Sequence, residues 1–379
     1  MGRQALGLDG TIVAETRLGA IDGLAGQLSY CGYSVHELAE GASWEEVLYL
    51  LWHGELPNAG ELAALREELE TERVLTEAEL ALVQRLPQEG HGMDVIRAGV
   101  SLLAGLHRPG LMRASRLYAE GLRLAAKLPL LVAVWARHRE GREPVTPARG
   151  RSHAAAFLEA LHGRAPDAVE EAACNAYLVL LAEHGLNVST FVARIVASAQ
   201  NDLYAAVDAA LAALKGVAHG GANEQAMRTF LAIGSPAAVP ATVDALVARK
   251  ERLMGVGHRI YRTEDPRVRH LRQHSAALAA RPGADGSAHA VAEAVAAYVL
   301  EHPYFVERKL YPNVEFFSAP LLYQLGLPLD TFTLAFAIAR VPGWVGHIGE
   351  QLEVARLVRP EAEYVGSAPR AFVPLAQRG

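Results

Sequence analysis

Ser43-Trp44-Glu45-Glu46-Val47-Leu48-Tyr49-Leu50-Leu51 opens on a serine suited to an N-cap, sets two glutamates in the first turn, then turns apolar and halts before Gly54 and Pro57. Each of these is a helix signal, and together they fix one. The same combination of apolar periodicity, abundant Ala and Leu and polar start and stop residues recurs at residues 61–73, 115–138, 168–184, 189–200, 205–215, 239–252 and 288–301. Clusters of β-branched residues are scarce between them. The exception is residues 7–35, rich in Gly, Thr, Tyr and Val, which read as a small strand or hairpin region. An all-α fold with a minor β element is therefore predicted. Breaks fall at residues 141–150 and in the Arg281-Pro282-Gly283-Ala284-Asp285-Gly286 loop, and no internal repeat is evident.

With 379 residues, 51% of them hydrophobic, the chain can bury a large core divided over two or three units, or one large and one small. A net charge of −6 argues against a general nucleic-acid or acidic-membrane binder. Anions must be gripped locally, and residues 249–272 supply the means, with eight Lys or Arg against Glu251, Glu264 and Asp265. Cys31 and Cys174 are too few for a disulfide framework and lack partners at metal-binding spacing, so a reducing cytoplasm is the expected compartment, with Cys174 on a buried helix face. Residues 1–6 contain no apolar signal core. The longest strongly apolar run, residues 128–136, is about half of the roughly 20 residues that a membrane-spanning helix requires.

Three strings hold histidines beside glycines or helix-terminus signals. In Glu183-His184-Gly185-Leu186-Asn187 the histidine ends an apolar run before a glycine suited to a left-handed cap, with Asn187 or Ser189 able to start the next helix. Two readings stand: a histidine that merely complements the helix dipole, or one placed in a sharp turn to meet a ligand. In Ala218-His219-Gly220-Gly221-Ala222-Asn223 the glycines serve a turn, or they let a ligand approach the backbone of a histidine kept neutral by the following helix N-terminus. In Gly255-Val256-Gly257-His258-Arg259-Ile260-Tyr261-Arg262-Thr263-Glu264-Asp265-Pro266-Arg267 no strand precedes the glycines, so a dinucleotide loop is excluded. Freed backbone amides are expected there instead. Pro266 should hold Arg267 as a fixed fork for a carboxylate.

These strings, with Pro312-Asn313-Val314-Glu315-Phe316-Phe317-Ser318 and Arg340, resemble the citrate synthase family from Gly7-Leu8-Asp9-Gly10 to Tyr364-Val365-Gly366. The resemblance implies a two-domain, all-α homodimer: a large domain from residues 1–220 and 327–379, a small one from 221–326, and the active site in the cleft between. It implies condensation of acetyl-coenzyme A with oxaloacetate and hydrolysis to citrate and coenzyme A. The thioester is a co-substrate, and no other cofactor and no metal is called for. By the same resemblance Glu315 is the base, His219 polarises the thioester carbonyl and His258 serves oxaloacetate's carbonyl. His184, Arg267 and Arg340 hold the dicarboxylate, and Arg359 reaches it from the partner subunit. Arg259, Arg262 and Lys309 are the candidate coenzyme A contacts.

Several positions depart from the family pattern. Glu315 stands where the family has aspartate, Leu181 where it usually has histidine, Phe317 and Ala319 where tyrosine and glycine are common, and Glu361 where many members carry a basic residue. Two alternatives stand beside this reading: a 2-methylcitrate synthase using propionyl-coenzyme A, since one methylene in an apolar pocket is worth only about 1 to 3 kcal/mol, and a weakly active paralogue that binds oxaloacetate or coenzyme A as a sensor or partner subunit, supported by position 315.

Overall fold

A computed structural model describes residues 6–8 and 10–378; the stretch before residue 6, Asp9 of the quoted Gly7-Leu8-Asp9-Gly10 and Gly379 lie outside the described residues. Helices dominate, and their starts follow the signals in the sequence. Ser43, Asn58, Thr76 and Asp167 each form a capping box with a glutamate three residues on, satisfying two otherwise orphaned backbone N–H groups. The predicted helices appear with ends shifted by a few residues: Ala59–Glu72, Ala114–His138, Ala168–Leu181, Val188–Ser198, Leu203–Leu214, Val239–Ala248 and Ser287–Glu301.

Three of those differences matter for the site. The helix expected over 168–184 stops at Leu181, which frees His184 to sit in a turn. The one expected over 239–252 stops at Ala248, because Lys250 adopts a left-handed φ of 57°. Arg340 does not end a helix but lies in the middle of one of 23 residues, Phe332–Val354, that runs through Pro342. An interior proline forfeits one helical hydrogen bond. Its carbonyl is used nonetheless, accepting Trp52 Nε1 at 3.0 Å, and burial of nearly every side chain from Phe332 to Ile348 outweighs the loss. Gly343 is required one residue on: a β-carbon there would lie 2.4 Å from the Ala182 carbonyl oxygen and 2.6 Å from Glu183 Oε2.

The β element is a three-stranded antiparallel sheet, Gly19–Asp22, Gln27–Tyr30 and Tyr33–Ser34, with Gly19 opposite Tyr30 and Ser29 opposite Ser34. It anchors to the helices through Tyr30 Oη, which donates to the Leu180 carbonyl at 2.9 Å. Its first turn abuts the His258 segment. Arg262 N donates to Gly23 O at 2.8 Å, and a β-carbon on Gly23 would sit 2.4 Å from the Ile260 carbonyl oxygen.

Around one continuous core, the Phe332–Val354 helix packs on Ala114–His138, Val188–Ser198 and Ala168–Leu181. Ala222–Ile233, Val268–Ala279, Ser287–Glu301 and Val314–Gln324 pack chiefly on one another, with Val268–Ala279 also meeting Ala168–Leu181. After Val354 the chain continues without regular structure except a short turn at Leu375–Gln377, and it leaves Leu357, Tyr364, Val365 and Phe372 exposed. Cys174 is buried, as expected, and Cys31 is partly buried. No single described helix is long and apolar enough to cross a membrane.

Candidate active site

His184, His219, His258, Arg267, Glu315 and Arg340 line one cavity of about 620 Å³. A second, of about 680 Å³, adjoins it and shares His219, His258, Arg259 and Glu315. Six residues drawn from five stretches of the chain thus converge, and the groups suited to proton transfer line both cavities.

Glu315 owes its place to a short backbone pairing. Val256 bridges Pro312, Asn313 N donates to Gly255 O at 2.9 Å, and Gly257 N donates to Tyr311 O at 2.7 Å. The segment leading to His258 is thereby bound to the one leading to Glu315. Both glycines have left-handed φ, 83° and 91°, and a β-carbon on Gly255 would lie 3.0 Å from Phe316 Cα. Freed amides were expected here, but the Gly257 amide is spent on Tyr311. The glycines serve close packing and unusual φ instead. Asn313 then caps the Val314–Gln324 helix, accepting Glu315 N at 3.0 Å while its own amide donates to Gly257 O at 2.8 Å. Glu315 stands in the first helical turn with part of its surface open to the cavity. Protein surrounds its carboxyl closely enough that burial raises it to about 7, against the opposing pull of Arg267.

The two flanking histidines have assignable tautomers. His258 Nδ1 accepts two backbone amides, Ile260 N at 3.0 Å and Tyr261 N at 3.1 Å, so a neutral ring carries its proton on Nε2. His219 Nε2 accepts Ser189 N at 3.3 Å and lies 2.9 Å from Ser189 Oγ. A backbone amide can only donate, so the His219 proton belongs on Nδ1. Both rings are neutral near pH 7. Burial lowers each to about 4, helped by the charge of Arg340 at His219 and of Arg267 at His258.

His184 is buried and held well below the usual histidine range by burial, then by Arg267. Its Nε2 lies 3.1 Å from Tyr261 Oη, and its ring meets His258 edge-on at 5.5 Å. Gly185, at φ 59°, makes the turn, and Asn187 caps the next helix by accepting Thr190 N at 3.2 Å.

Arg267 is fixed by Asp265 as well as by Pro266. Its backbone N, Nε and Nη2 all donate to that carboxylate, at 3.1, 2.9 and 2.6 Å. Arg340 Nε donates to Leu181 O at 2.6 Å and its guanidinium lies over the Phe336 ring, while the buried Nη1 has no hydrogen-bond partner among the described residues. Arg340 lines the first cavity, where its charge can meet an anion. Burial lowers Arg340 to about 10, still charged at neutral pH.

Other candidates fall outside this cluster. Arg259 lines both cavities. Arg262 and Lys309 are exposed and line neither, whereas Lys250 and Arg252 line the second cavity. Arg359 is exposed on the C-terminal tail, away from its own chain's cavity. Tyr261 and Asp265 were given no role in the site from the sequence, although both lie within the quoted histidine string, and Ser189 was read only as a possible helix start. Residues 10–14 and Thr16 form a wall of the first cavity; nothing in that stretch signals it. Among the described residues no cluster of His, Cys, Asp or Glu is arranged to hold a metal ion.

The family model described as the citrate synthase C-terminal domain matches residues 7–361. The chain is 39% identical to the citrate synthase of Haloferax volcanii over the full length of both. It is 38% identical to a 2-methylcitrate synthase of Shewanella oneidensis, covering 98% of this chain and 97% of that one. A solved ternary complex of the citrate synthase of Thermoplasma acidophilum with carboxymethyl coenzyme A and oxaloacetate superposes with a TM-score of 0.93 at 32% identity, covering all of both chains.

Proposed function

The chain belongs to the citrate synthase family, enzymes that transfer acyl groups by condensation, and from that premise we propose that it joins acetyl-coenzyme A to oxaloacetate and hydrolyses the product to citrate and coenzyme A. The observation that carries this reading is the junction of the two cavities at His219, His258 and Glu315. The first cavity, lined by Arg340, Arg267 and His184, suits a small dicarboxylate. The second, with Lys250 and Arg252 at its edge, suits a thioester bearing phosphates.

In this mechanism Glu315 takes a proton from the thioester methyl while His219 Nδ1–H donates to the thioester oxygen, stabilising the enol. The enol carbon attacks oxaloacetate's carbonyl carbon as His258 Nε2 gives its proton to the oxygen. Water then cleaves the thioester, releasing coenzyme A. A carboxyl near 7 is a better base toward a weak carbon acid than one near 4, so burial of Glu315 serves the first step.

The pH profile tests the assignment. Glu315 acts only when ionised, so kcat/KM should climb almost tenfold per pH unit below about 7 and level off above it. The histidines stay neutral throughout that range and add no second arm above about pH 5. A flat profile between about pH 5.5 and 8.5 would remove Glu315 as the base.

Relatives named 2-methylcitrate synthase are as similar to this chain as those named citrate synthase, which supports propionyl-coenzyme A as a second acyl donor. One methylene in an apolar pocket separates the two by only about 1 to 3 kcal/mol.

The division into residues 1–220 with 327–379 and residues 221–326 forms part of the proposal. Its support is the mutual packing of the helices from Ala222 to Gln324, and the smaller unit closes over oxaloacetate to exclude water. A homodimer completes the site. The exposed, apolar-studded tail carrying Arg359 is suited to lie on a second copy and deliver its guanidinium to the partner's dicarboxylate. Mixing Glu315→Gln chains with Arg359→Ala chains should then restore about a quarter of wild-type activity, since half the dimers are mixed and each has one intact site. No recovery after verified subunit exchange would place Arg359 outside catalysis.

A further inference from the structure

Behind the cavity floor lies a buried chain of charged groups that the mechanism does not use. His347, one turn past the Arg340–Gly343 step on the same helix, is wholly buried, and its Nε2 lies 3.0 Å from Glu183 Oε1. That same oxygen accepts the Gly185 amide. On the other side of the ring, Nδ1 lies 3.4 Å from Glu350 Oε2 and 3.3 Å from Arg194 Nη1. Arg194 Nη1 donates to Glu350 Oε2 at 3.0 Å. Glu350 Oε1 in turn accepts Arg17 N at 2.7 Å and Thr16 Oγ1 at 3.2 Å, and Thr16 lines the first cavity.

Glu183 is the hub. It precedes His184 and its oxygen holds the amide that follows, so its carboxylate fixes the turn that presents His184. It is also the largest favourable charge acting on buried Arg340. The room it occupies exists because Gly343 and Gly19 carry no side chain, a β-carbon at Gly19 lying 3.1 Å from Glu183 Oε1. A carboxylate buried this fully needs its donors fixed, since an unpaired buried charge is costly. Among the described residues His347 supplies the one side-chain donor to it, at Oε1, and Oε2 has none.

We propose that His347 is a positioning residue for dicarboxylate binding: its Nε2–H holds Glu183, and through Glu183 it sets the His184 turn and the charge beside Arg340. Glu350 and Arg194 extend the same brace to the 16–17 segment of the cavity wall. The ring can serve with or without a second proton. Burial opposes its charge, but Glu183 and Glu350 outweigh burial and raise it to about 9; in either form Nε2 keeps its proton against Glu183.

This inference rests on the oxaloacetate reading, and its test separates the two. Glutamine at 347 places an amide nitrogen near the Nε2 position, whereas asparagine places one near Nδ1. A purely structural role would respond alike to His347→Gln and His347→Asn. The proposal predicts that His347→Gln binds oxaloacetate within about threefold of wild type in calorimetry, and that His347→Asn binds at least about tenfold more weakly, with the KM for acyl-coenzyme A changed less than about twofold in both. Hydrogen exchange without any ligand gives a second readout. The Gly185 amide should stay protected in wild type and His347→Gln, and exchange faster in His347→Asn. Equal affinities in the two variants, a Gln variant as weak as the Asn, or a failure of either to fold overturns the positioning role. Wild-type protein that binds no oxaloacetate would defeat the functional reading instead, and the exchange comparison would still decide what His347 does.

Discussion

Replacing Glu315 by glutamine should lower condensation turnover by about a thousandfold or more, the upper part of what a positioned general base contributes. The amide cannot accept the methyl proton, yet it keeps the shape of the side chain and the Asn313 cap on its backbone, so folding and oxaloacetate binding should persist. Glu315→Asp is the sharper comparison. The carboxyl is carried on a backbone that pairing with residues 255–257 holds in place. Shortening the side chain by one methylene withdraws the oxygens by about 1 Å, and a misplacement of that size can cost on the order of 100-fold. Turnover should therefore fall in the aspartate variant, though less than in the glutamine variant. Single-turnover measurements with excess enzyme would isolate the chemical step. A rise in turnover on Glu315→Asp would mean that glutamate is a poorly placed base on an unaltered backbone.

Arg267→Ala should damage both binding and stability. Arg267 and Asp265 form a fully buried pair with three hydrogen bonds, their side chains 2% and 1% exposed. Removing the arginine strands Asp265 without its counter-charge, a loss of about 3 to 5 kcal/mol in buried pairs. Oxaloacetate affinity should drop at least tenfold as well, since a charged hydrogen bond is worth about 1.5 to 3 kcal/mol. The double variant Asp265→Ala/Arg267→Ala separates the effects. Much of the unfolding free energy should return, measured by urea titration, while oxaloacetate affinity should not. A single variant as stable as wild type, or a double variant that regains binding, would contradict the roles given to this pair.

The sequence made some of this plain and concealed the rest for physical reasons. Helices announced themselves because capping boxes such as Ser43 with Glu46 are local, and so did the His184 turn, where Gly185 and Asn187 act within a few residues of it. The extent of the Phe332–Val354 helix was not legible, because tertiary burial carries it through Pro342. The candidate residues that the structure gathers into one cavity are those whose strings carry glycines or prolines beside a titratable group. Their partners were hidden wherever the contact is distant in sequence. Ser189 meets His219 across 30 residues, and His347 meets Glu183 across 164. Asp265 was within reach, two residues before Arg267, yet nothing local distinguishes an arginine that spends its fork on a neighbour from one that offers all of it to a ligand. Lys250 and Arg252 of the second cavity follow a backbone reversal at Lys250 that non-glycine residues seldom adopt and a sequence does not reveal.

The central claim is that Glu315, His219 and His258 condense a thioester methyl with oxaloacetate where the two cavities meet. Coenzyme A release, followed with acetyl- and propionyl-coenzyme A in parallel and with the acid product identified by mass, tests it most directly. The account predicts release that requires oxaloacetate, a product with the mass of citrate from the acetyl thioester, and loss of both in Glu315→Gln. Wild-type protein inert toward both thioesters, or releasing coenzyme A at the same rate without oxaloacetate, would contradict it.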